Sequence, residues 1–167
     1  EDLDLLVLDL SDLGVGAGAA GAAAHPVRSR RMRRGDLDGV LDVDAASFPE
    51  FWRFDRLALD EARRATPSRR CRVVADRRSK RVVAYAVTGR AGDQGFVQRL
   101  AVDPSRQGNA LGRTLLDDAL RWLARRGATT ALVNTQPGNE AALALYRSVG
   151  FTDRPGGLAV LRLDPSS

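Results

Sequence analysis

The chain has 167 residues, enough for one domain with a hydrophobic core and too few for two domains of ordinary size. Hydrophobic residues make up 44% and charged residues 28%, which excludes a chain disordered throughout, and the net charge of +5, almost all arginine, suits an acidic small ligand. One cysteine and one histidine exclude an internal disulfide and a Cys/His zinc site, so we expect no bound metal.

Residues 1–26 are predicted to form a flexible or loosely ordered appendage to a domain that covers residues 27–167. Residues 1–13 alternate Asp with Leu and Val, and this pattern suits a short strand and a short amphipathic helix equally well. The Gly/Ala run at residues 14–24 is typical of a flexible tether. The segment before that run is acidic, whereas a secretory signal is basic there, and no window reaches membrane-spanning length. We therefore expect a cytoplasmic protein without membrane association.

A strand and two helices are predicted next. The strand covers residues 27–34 and leads through a Gly-Asp break into a helix that ends at Ala46. A second helix covers about residues 55–65. The loop between the helices, residues 47–54, is unusually rich in aromatic side chains for this chain. These side chains either cap the core or form one wall of a substrate pocket, and the sequence leaves both interpretations open.

The rest of the chain alternates strands with helices. Strands are predicted over residues 72–76, 81–88, 94–102 and 128–134, helices over residues 111–126 and 139–149, and two short strands after residue 150. This order predicts an α+β sandwich, with helices packed on a mixed sheet, and not a doubly wound parallel sheet.

The turn between the third of these strands and the next helix is typical of an anion-binding site. Gly108 and Gly112 allow the backbone to approach phosphate oxygens, because neither carries a Cβ that would hold the ligand away. The helix that begins behind the turn directs unpaired N–H groups and the positive end of its dipole toward the same point. The sequence therefore predicts a phosphate or pyrophosphate site here.

Two motifs together resemble the GNAT superfamily of N-acetyltransferases. Gln107-Gly-Asn-Ala-Leu-Gly112 is similar to its acetyl-CoA pyrophosphate loop, and Asn139 to Phe151 is similar to a later motif in which Asn, Leu-Tyr and Gly-Phe recur at this spacing. The Leu-Ala-Val-Asp-Pro strand end and the Ser-Phe-Pro loop are most similar to bacterial enzymes that acetylate the N-terminus of ribosomal proteins. The resemblance implies a mixed sheet of six to seven strands flanked by four helices.

The resemblance also implies acetyl-CoA as the cofactor. In the family, the strand corresponding to residues 98–102 carries a bulge and splays from the next strand, and its free backbone groups hold the pantetheine arm. Asn139 suits a cofactor contact and an ordinary helix N-cap, and the two roles are compatible. Ala110 stands where the family has glycine, and a positive φ there would cost about 1 kcal/mol or more. The implied cofactor contacts are Leu100, Ala101, Val102, Gln107, Gly108, Asn109, Ala110, Leu111, Gly112, Arg113 and Asn139.

For catalysis, the resemblance places a proton donor at Tyr146 and leaves the base unassigned. A phenol with a pKa of about 10 is a suitable acid for a thiolate whose conjugate acid has a pKa of about 8.5. The glutamate that serves as base in the ribosomal-protein enzymes corresponds to Asn134, which cannot accept a proton. Glu50 in the aromatic loop is the candidate base that we name, and a water relay is the alternative.

These features predict an enzyme that transfers acetyl from acetyl-CoA directly to a primary amine in a ternary complex. The expected acceptor is a protein N-terminus or an amine-bearing small molecule, and the protein is expected to be a monomer or a homodimer. Nucleic acid is not an expected partner, because no aromatic-rich basic face accompanies the arginines. The alternative is a non-catalytic acyl-CoA sensor or interaction module, which Asn134, Ala110 and the N-terminal segment favour.

Overall fold

The computed structural model describes residues 2–11, 28–108, 110–155 and 158–159 of the chain. Within these ranges it contains eight strands, four α-helices and three short 3-10 turns. The elements are β1 Asp2–Asp9, β2 Arg30–Arg31, α1 Leu37–Ser47, α2 Arg56–Arg64, β3 Ser68–Ala75, β4 Val82–Ala91, β5 Gln94–Val102, α3 Leu111–Arg125, β6 Thr130–Thr135, α4 Glu140–Ser148, β7 Thr152–Asp153 and β8 Leu158–Ala159, with 3-10 turns at Arg34–Asp36, Glu50–Trp52 and Pro104–Arg106.

One mixed sheet runs through the molecule in the order β2-β3-β4-β5-β6-β1-β7, and β8 pairs with β1. The β5/β6 pair is parallel, whereas the other pairs are antiparallel. Side chains of β4 alternate between the two faces: Tyr85 and Val87 pack with α1 and α2, whereas Ala84 and Ala86 pack with α3. The predicted α+β architecture, a mixed sheet with four helices, is therefore confirmed.

Strand β1 corrects part of the predicted N-terminal appendage. It lies between β6 and β7 and pairs with both, so residues 2–9 are an interior strand of the sheet. Its inward side chains Leu6 and Leu8, with Leu10 beyond the strand, are buried against α3 and α4. Leucine at alternate positions buries one face of the strand, and the paired edges satisfy its backbone groups. The predicted tether at residues 14–24 lies outside the described residues.

Two predicted strand boundaries are also wrong. Strand β3 begins at Ser68, four residues before the predicted start, because residues 68–71 pair with residues 87–90 of β4. Strand β2 contains only Arg30–Arg31 of the predicted strand, since a 3-10 turn already begins at Arg34. In both segments, runs of arginine replace the alternation of apolar and polar residues that predicts a strand. The length of each strand is therefore set by its pairing with the neighbouring strand.

Strand β5 carries the bulge and the splay expected from the family resemblance. The register with β4 passes from Val97 to Arg99 across two consecutive residues of β4, so Gln98 is the extra residue of a bulge. Pairing of β5 with β6 ends at Val97 opposite Val133. Within the described ranges, residues 98–102 therefore have a partner strand only on the β4 side. The open edge of β5 provides backbone donors and acceptors for a ligand.

Candidate active site

A cavity of about 450 Å³ lies where β5 separates from β6, next to the beginning of α3 and one side of α4. Ten of the residues predicted from sequence line it together. They are Leu100, Ala101, Val102, Gln107, Gly108, Ala110, Leu111, Gly112, Asn139 and Tyr146. Ser47 and Phe48, from the aromatic loop that was considered as a pocket wall, also line it. Four further lining residues were not predicted as site residues from the sequence: Arg106, Ala141, Ala142 and Leu145.

The backbone before α3 adopts the left-handed conformation at two positions. Gly108 has φ +85°, and a Cβ built there would have no heavy atom within 4 Å, so this side of the turn is open. Ala110, the N-cap residue of α3, has φ +58°, the positive value considered in the sequence analysis. This conformation costs a non-glycine residue about 1–2 kcal/mol. The turn therefore presents the first N–H groups of α3 to the cavity at a cost in backbone strain.

Gly112 allows α3 to pack closely on α4. A Cβ at this position would lie 3.2 Å from Cδ2 of Leu145, closer than most Cβ contacts. Arg113, the next residue, does not line the cavity, because its Nε pairs with Oδ1 of Asp117 at 2.9 Å along the helix. The Arg113 side chain is thus engaged along the helix, and the predicted contact of Arg113 with the cofactor stays a prediction. Asn109, the other loop residue named from sequence, lies outside the described residues.

Arg106 is the charged side chain at the rim of the cavity. Its NH2 group lies 2.7 Å from Oδ2 of Asp76, which belongs to the turn between β3 and β4. The backbone N–H of Ser79, together with the Arg106 guanidinium, holds the pKa of Asp76 well below its usual range. Asp76 is therefore ionised at neutral pH and keeps the guanidinium of Arg106 beside the cavity.

Tyr146 lies on α4 with its side chain 4% exposed, and it borders the cavity. Its ring makes an edge contact with Phe151 at 5.6 Å between centroids. Burial raises the pKa of Tyr146 above its ordinary value, and the positive charge of Arg99 opposes this effect. Its hydroxyl makes no hydrogen bond within the described part of the chain. Tyr146 thus keeps its proton at neutral pH and can donate it to a group bound in the cavity.

Asn139 is the N-cap of α4, since its Oδ1 accepts a hydrogen bond from the Ala142 N–H at 3.3 Å. This observation confirms the N-cap interpretation. Asn139 also lines the cavity, so a cofactor contact remains compatible with the cap.

No candidate base lies at the cavity wall: among the described residues that line it, none is Asp, Glu or His. Glu50 is exposed on its 3-10 turn and is absent from that lining, so its role as base stays a prediction. Asn134 is exposed on β6. Asp44 is fully buried, and its carboxylate already accepts hydrogen bonds from Arg99, Tyr85 and the Phe54 N–H.

Asp44 was not predicted from the sequence, although a signal for it exists. Leu37, Val40 and Asp44 follow the helical spacing of one face of α1, and the first two are buried. A carboxylate on that face must be buried as well and needs hydrogen-bonding partners. This reasoning would have predicted a buried polar cluster beneath the aromatic loop.

Sequence comparison assigns the chain to a family. The family model described as the acetyltransferase (GNAT) family matches residues 37–151, which is more than half of the chain. The chain belongs to the GNAT family. This confirms the resemblance inferred from the two motifs.

Curated GNAT relatives match parts of the chain. The [ribosomal protein bS18]-alanine N-acetyltransferase of Escherichia coli strain K12 is 37% identical over 73 residues, covering 44% of this chain and 49% of that protein. The mycothiol acetyltransferase of Clavibacter sepedonicus is 33% identical over 151 residues, covering 90% of this chain and 42% of that protein. The chain thus spans about half the length of the curated relatives that it matches.

Solved structures show the same GNAT fold. The ribosomal-protein-S18-alanine N-acetyltransferase from Escherichia coli superposes with a TM-score of 0.65 at 24% identity, covering 75% of this chain and 77% of that one. The PaiA N-acetyltransferase from Thermoplasma acidophilum, solved in complex with coenzyme A, superposes with a TM-score of 0.65 at 14% identity, covering 75% and 89%. At these levels of sequence identity, the structural similarity shows a shared fold and nothing further.

The described ranges of this GNAT chain lack two further features. They contain no group of three or more His, Cys, Asp or Glu side chains placed to hold a metal ion. No helix in them is long and apolar enough to cross a membrane.

Proposed function

We propose that this protein is an acetyl-CoA-dependent N-acetyltransferase that transfers the acetyl group directly to a primary amine within a ternary complex. One observation carries the proposal: the turn before α3, the open edge of β5 and Tyr146 all border one cavity. Both curated relatives named above are acetyltransferases, which supports this reading.

The residues present suit acetyl-CoA. The open side of Gly108 and the N–H groups at the beginning of α3 provide a cradle for a pyrophosphate, and Arg106 adds positive charge at the rim. The backbone edge at residues 100–102 has no partner strand on the β6 side, so it can bind the amides of a pantetheine arm as an added strand would. When bound, acetyl-CoA supplies an acetyl group activated as a thioester.

The protein's own groups then assist the transfer of the acetyl group from sulfur to nitrogen. The acceptor amine attacks the acetyl carbonyl, and a backbone N–H of Leu100 or Val102 stabilises the developing negative charge on its oxygen. As the new C–N bond replaces the C–S bond, Tyr146 donates its proton to the departing sulfur. Its raised pKa keeps Tyr146 protonated over the pH range in which α-amines lose their proton.

The cavity wall favours acceptors that are already partly neutral. At pH 7, an α-amine with a pKa of about 7.8 is about 10% neutral, whereas a lysine with a pKa of about 10.4 is about 0.04% neutral. Since the described lining contains no carboxylate or imidazole, lysine would receive little help in losing its proton. We therefore propose protein N-termini or small-molecule amines of low pKa as acceptors, with Glu50 or water as the final proton acceptor.

A thiol-release assay with acetyl-CoA tests this proposal. The acceptors are peptides with free α-amines, lysine peptides with blocked termini, and polyamines. We expect release with α-amine peptides at rates well above those of the lysine peptides. The absence of a base in the described lining also favours a second candidate, an acyl-CoA sensor. Thermal stabilisation by acetyl-CoA without thiol release for any acceptor would support the sensor and contradict the transferase.

A further inference from the structure

We propose that Arg99 is a positioning residue that fixes the aromatic loop, residues 48–54, against the strand that borders the cavity. Through this loop it holds Phe48 in the cavity wall and so governs how the acceptor is placed. The kinetic part of this inference rests on the proposed function, because it concerns the acceptor side of the same cavity. The structural part, the order of the loop, does not depend on it.

The contacts of Arg99 reach across the whole loop. Its Nε and NH2 groups donate to the carboxylate of Asp44 at 2.7 and 2.9 Å, and NH2 also donates to the Trp52 carbonyl at 2.7 Å. Its guanidinium carbon lies 3.5 Å from the ring centroid of Phe48 and 4.0 Å from that of Phe54. One side chain, 11% exposed, thus contacts the first, fifth and last residues of the loop.

Asp44 completes this cluster from α1. It accepts a hydrogen bond from the Phe54 N–H at 2.7 Å and another from the Tyr85 hydroxyl at 2.5 Å. With the two bonds from Arg99, both carboxylate oxygens are occupied and the charge of the guanidinium is balanced in a buried site. Asp44 therefore serves to orient Arg99 and to hold the end of the loop.

A second contact joins α1 to β5. The hydroxyl of Ser47, the last residue of α1, lies 2.7 Å from the carbonyl oxygen of Val43 and 3.0 Å from that of Val102, and its single proton is shared between these two acceptors. Arg99 and Val102 bracket Leu100 and Ala101, two of the residues that line the cavity. The end of α1, where the loop begins, therefore lies against the cavity-bordering part of β5.

Substitution by lysine separates the geometry of Arg99 from its charge. A lysine keeps the positive charge but has neither the planar fork that binds Asp44 and Trp52 nor the flat face that stacks on Phe48. Displacement of a cavity wall by about 1 Å can reduce a rate by about a hundredfold. We therefore expect Arg99→Lys to impair use of the acceptor and to leave binding of acetyl-CoA nearly unchanged.

The matched control is Arg70→Lys. Arg70 makes a bidentate pair with Asp118 at 2.8 and 2.9 Å, joins β3 to α3, and does not line the cavity. For Arg99→Lys, kcat/KM for the acceptor should fall by about tenfold to a hundredfold, with the Kd for acetyl-CoA within about twofold of the parent. Arg70→Lys should change neither value by more than about twofold. Equal kinetic effects of the two variants, or a loss confined to acetyl-CoA binding, would overturn the proposal.

Hydrogen exchange of the backbone amides in the loop measures the order of the loop without depending on enzymatic activity. The Phe54 amide is bonded to Asp44, so its exchange should accelerate by about tenfold or more in Arg99→Lys and stay unchanged in Arg70→Lys. If the parent releases no thiol, the proposed function fails while this measurement still decides the role of Arg99. Should Arg99→Lys not fold, Tyr85→Phe provides the same comparison, because it removes a bond that orients Asp44. Unaltered exchange of Phe54 in the folded variant would refute the positioning role.

Discussion

Replacing Tyr146 by Phe should lower the catalytic rate strongly and change the free energy of unfolding little. The change removes one oxygen from a side chain that is 4% exposed, and the ring contact with Phe151 stays in place. The hydroxyl makes no hydrogen bond within the described residues, so no bonding partner there is left unsatisfied. The folded protein should therefore tolerate the variant well.

The two expected magnitudes differ strongly. A positioned general acid contributes about 10²- to 10⁴-fold to a rate, so single-turnover thiol release should slow by about that factor. The free energy of unfolding should change by less than about 1 kcal/mol in either direction, because a buried hydroxyl without a partner costs desolvation and contributes no bond. Acetyl-CoA should still raise the melting temperature of the variant, since the proposed pyrophosphate cradle is untouched.

Tyr85→Phe is the matched control for stability. The Tyr85 hydroxyl donates to the buried carboxylate of Asp44 at 2.5 Å, so its removal should cost about 1.5–3 kcal/mol. The assays are thermal unfolding with and without acetyl-CoA and single-turnover kinetics over pH 7–10. A rate for Tyr146→Phe within about threefold of the parent would refute the proton-donor role. An alkaline loss of rate below pH 10 that Tyr146→Phe abolishes would contradict the raised pKa of Tyr146.

Three other predictions address the turn, an ion pair and strand β1. Ala110→Gly should raise the melting temperature by about 1–4 °C. Relief of the left-handed conformation at this position outweighs the greater conformational freedom of glycine in the unfolded chain by about 0.5–1 kcal/mol. The opposite substitution, Gly108→Ala, should lower the melting temperature, because Gly108 also has a positive φ. Burial is the largest single influence on Asp118 and raises its pKa, but the hydrogen bond from Arg70 and the positive charges of Arg70, Arg72 and Arg121 together outweigh it, so the net pKa is lowered. This stabilisation is fully present above the unfolded-state pKa of about 3.9 and is lost as pH falls through the lower folded value. Asp118→Asn should therefore destabilise the protein at pH 7, and in pH-dependent melts its effect should begin to shrink as pH falls below about 4. Leu6→Ala should cost about 2–5 kcal/mol in denaturant unfolding, whereas a dispensable β1 would show almost no change.

Much of the cavity could be predicted from sequence because its parts are local. The turn before α3, with Gly108 and Gly112, depends on backbone freedom and on the start of a helix, both of which follow from neighbouring residues. Tyr146 and Asn139 lie seven residues apart on one helix, so their spacing alone places them on the same element. Local spacing also defined most of the helices and strands.

Other features depended on contacts between distant parts of the chain, and only the tertiary structure decided them. Strand β1 pairs with β6 more than a hundred residues away, and no local pattern distinguishes such a strand from a loose amphipathic segment. Asp44 and Arg99 are 55 residues apart, and their pairing emerged only when α1 packed on the sheet. Sequence thus determined which backbone turns and helix starts could form, whereas packing determined which side chains face the cavity, because burial and charge pairing are properties of the assembled fold.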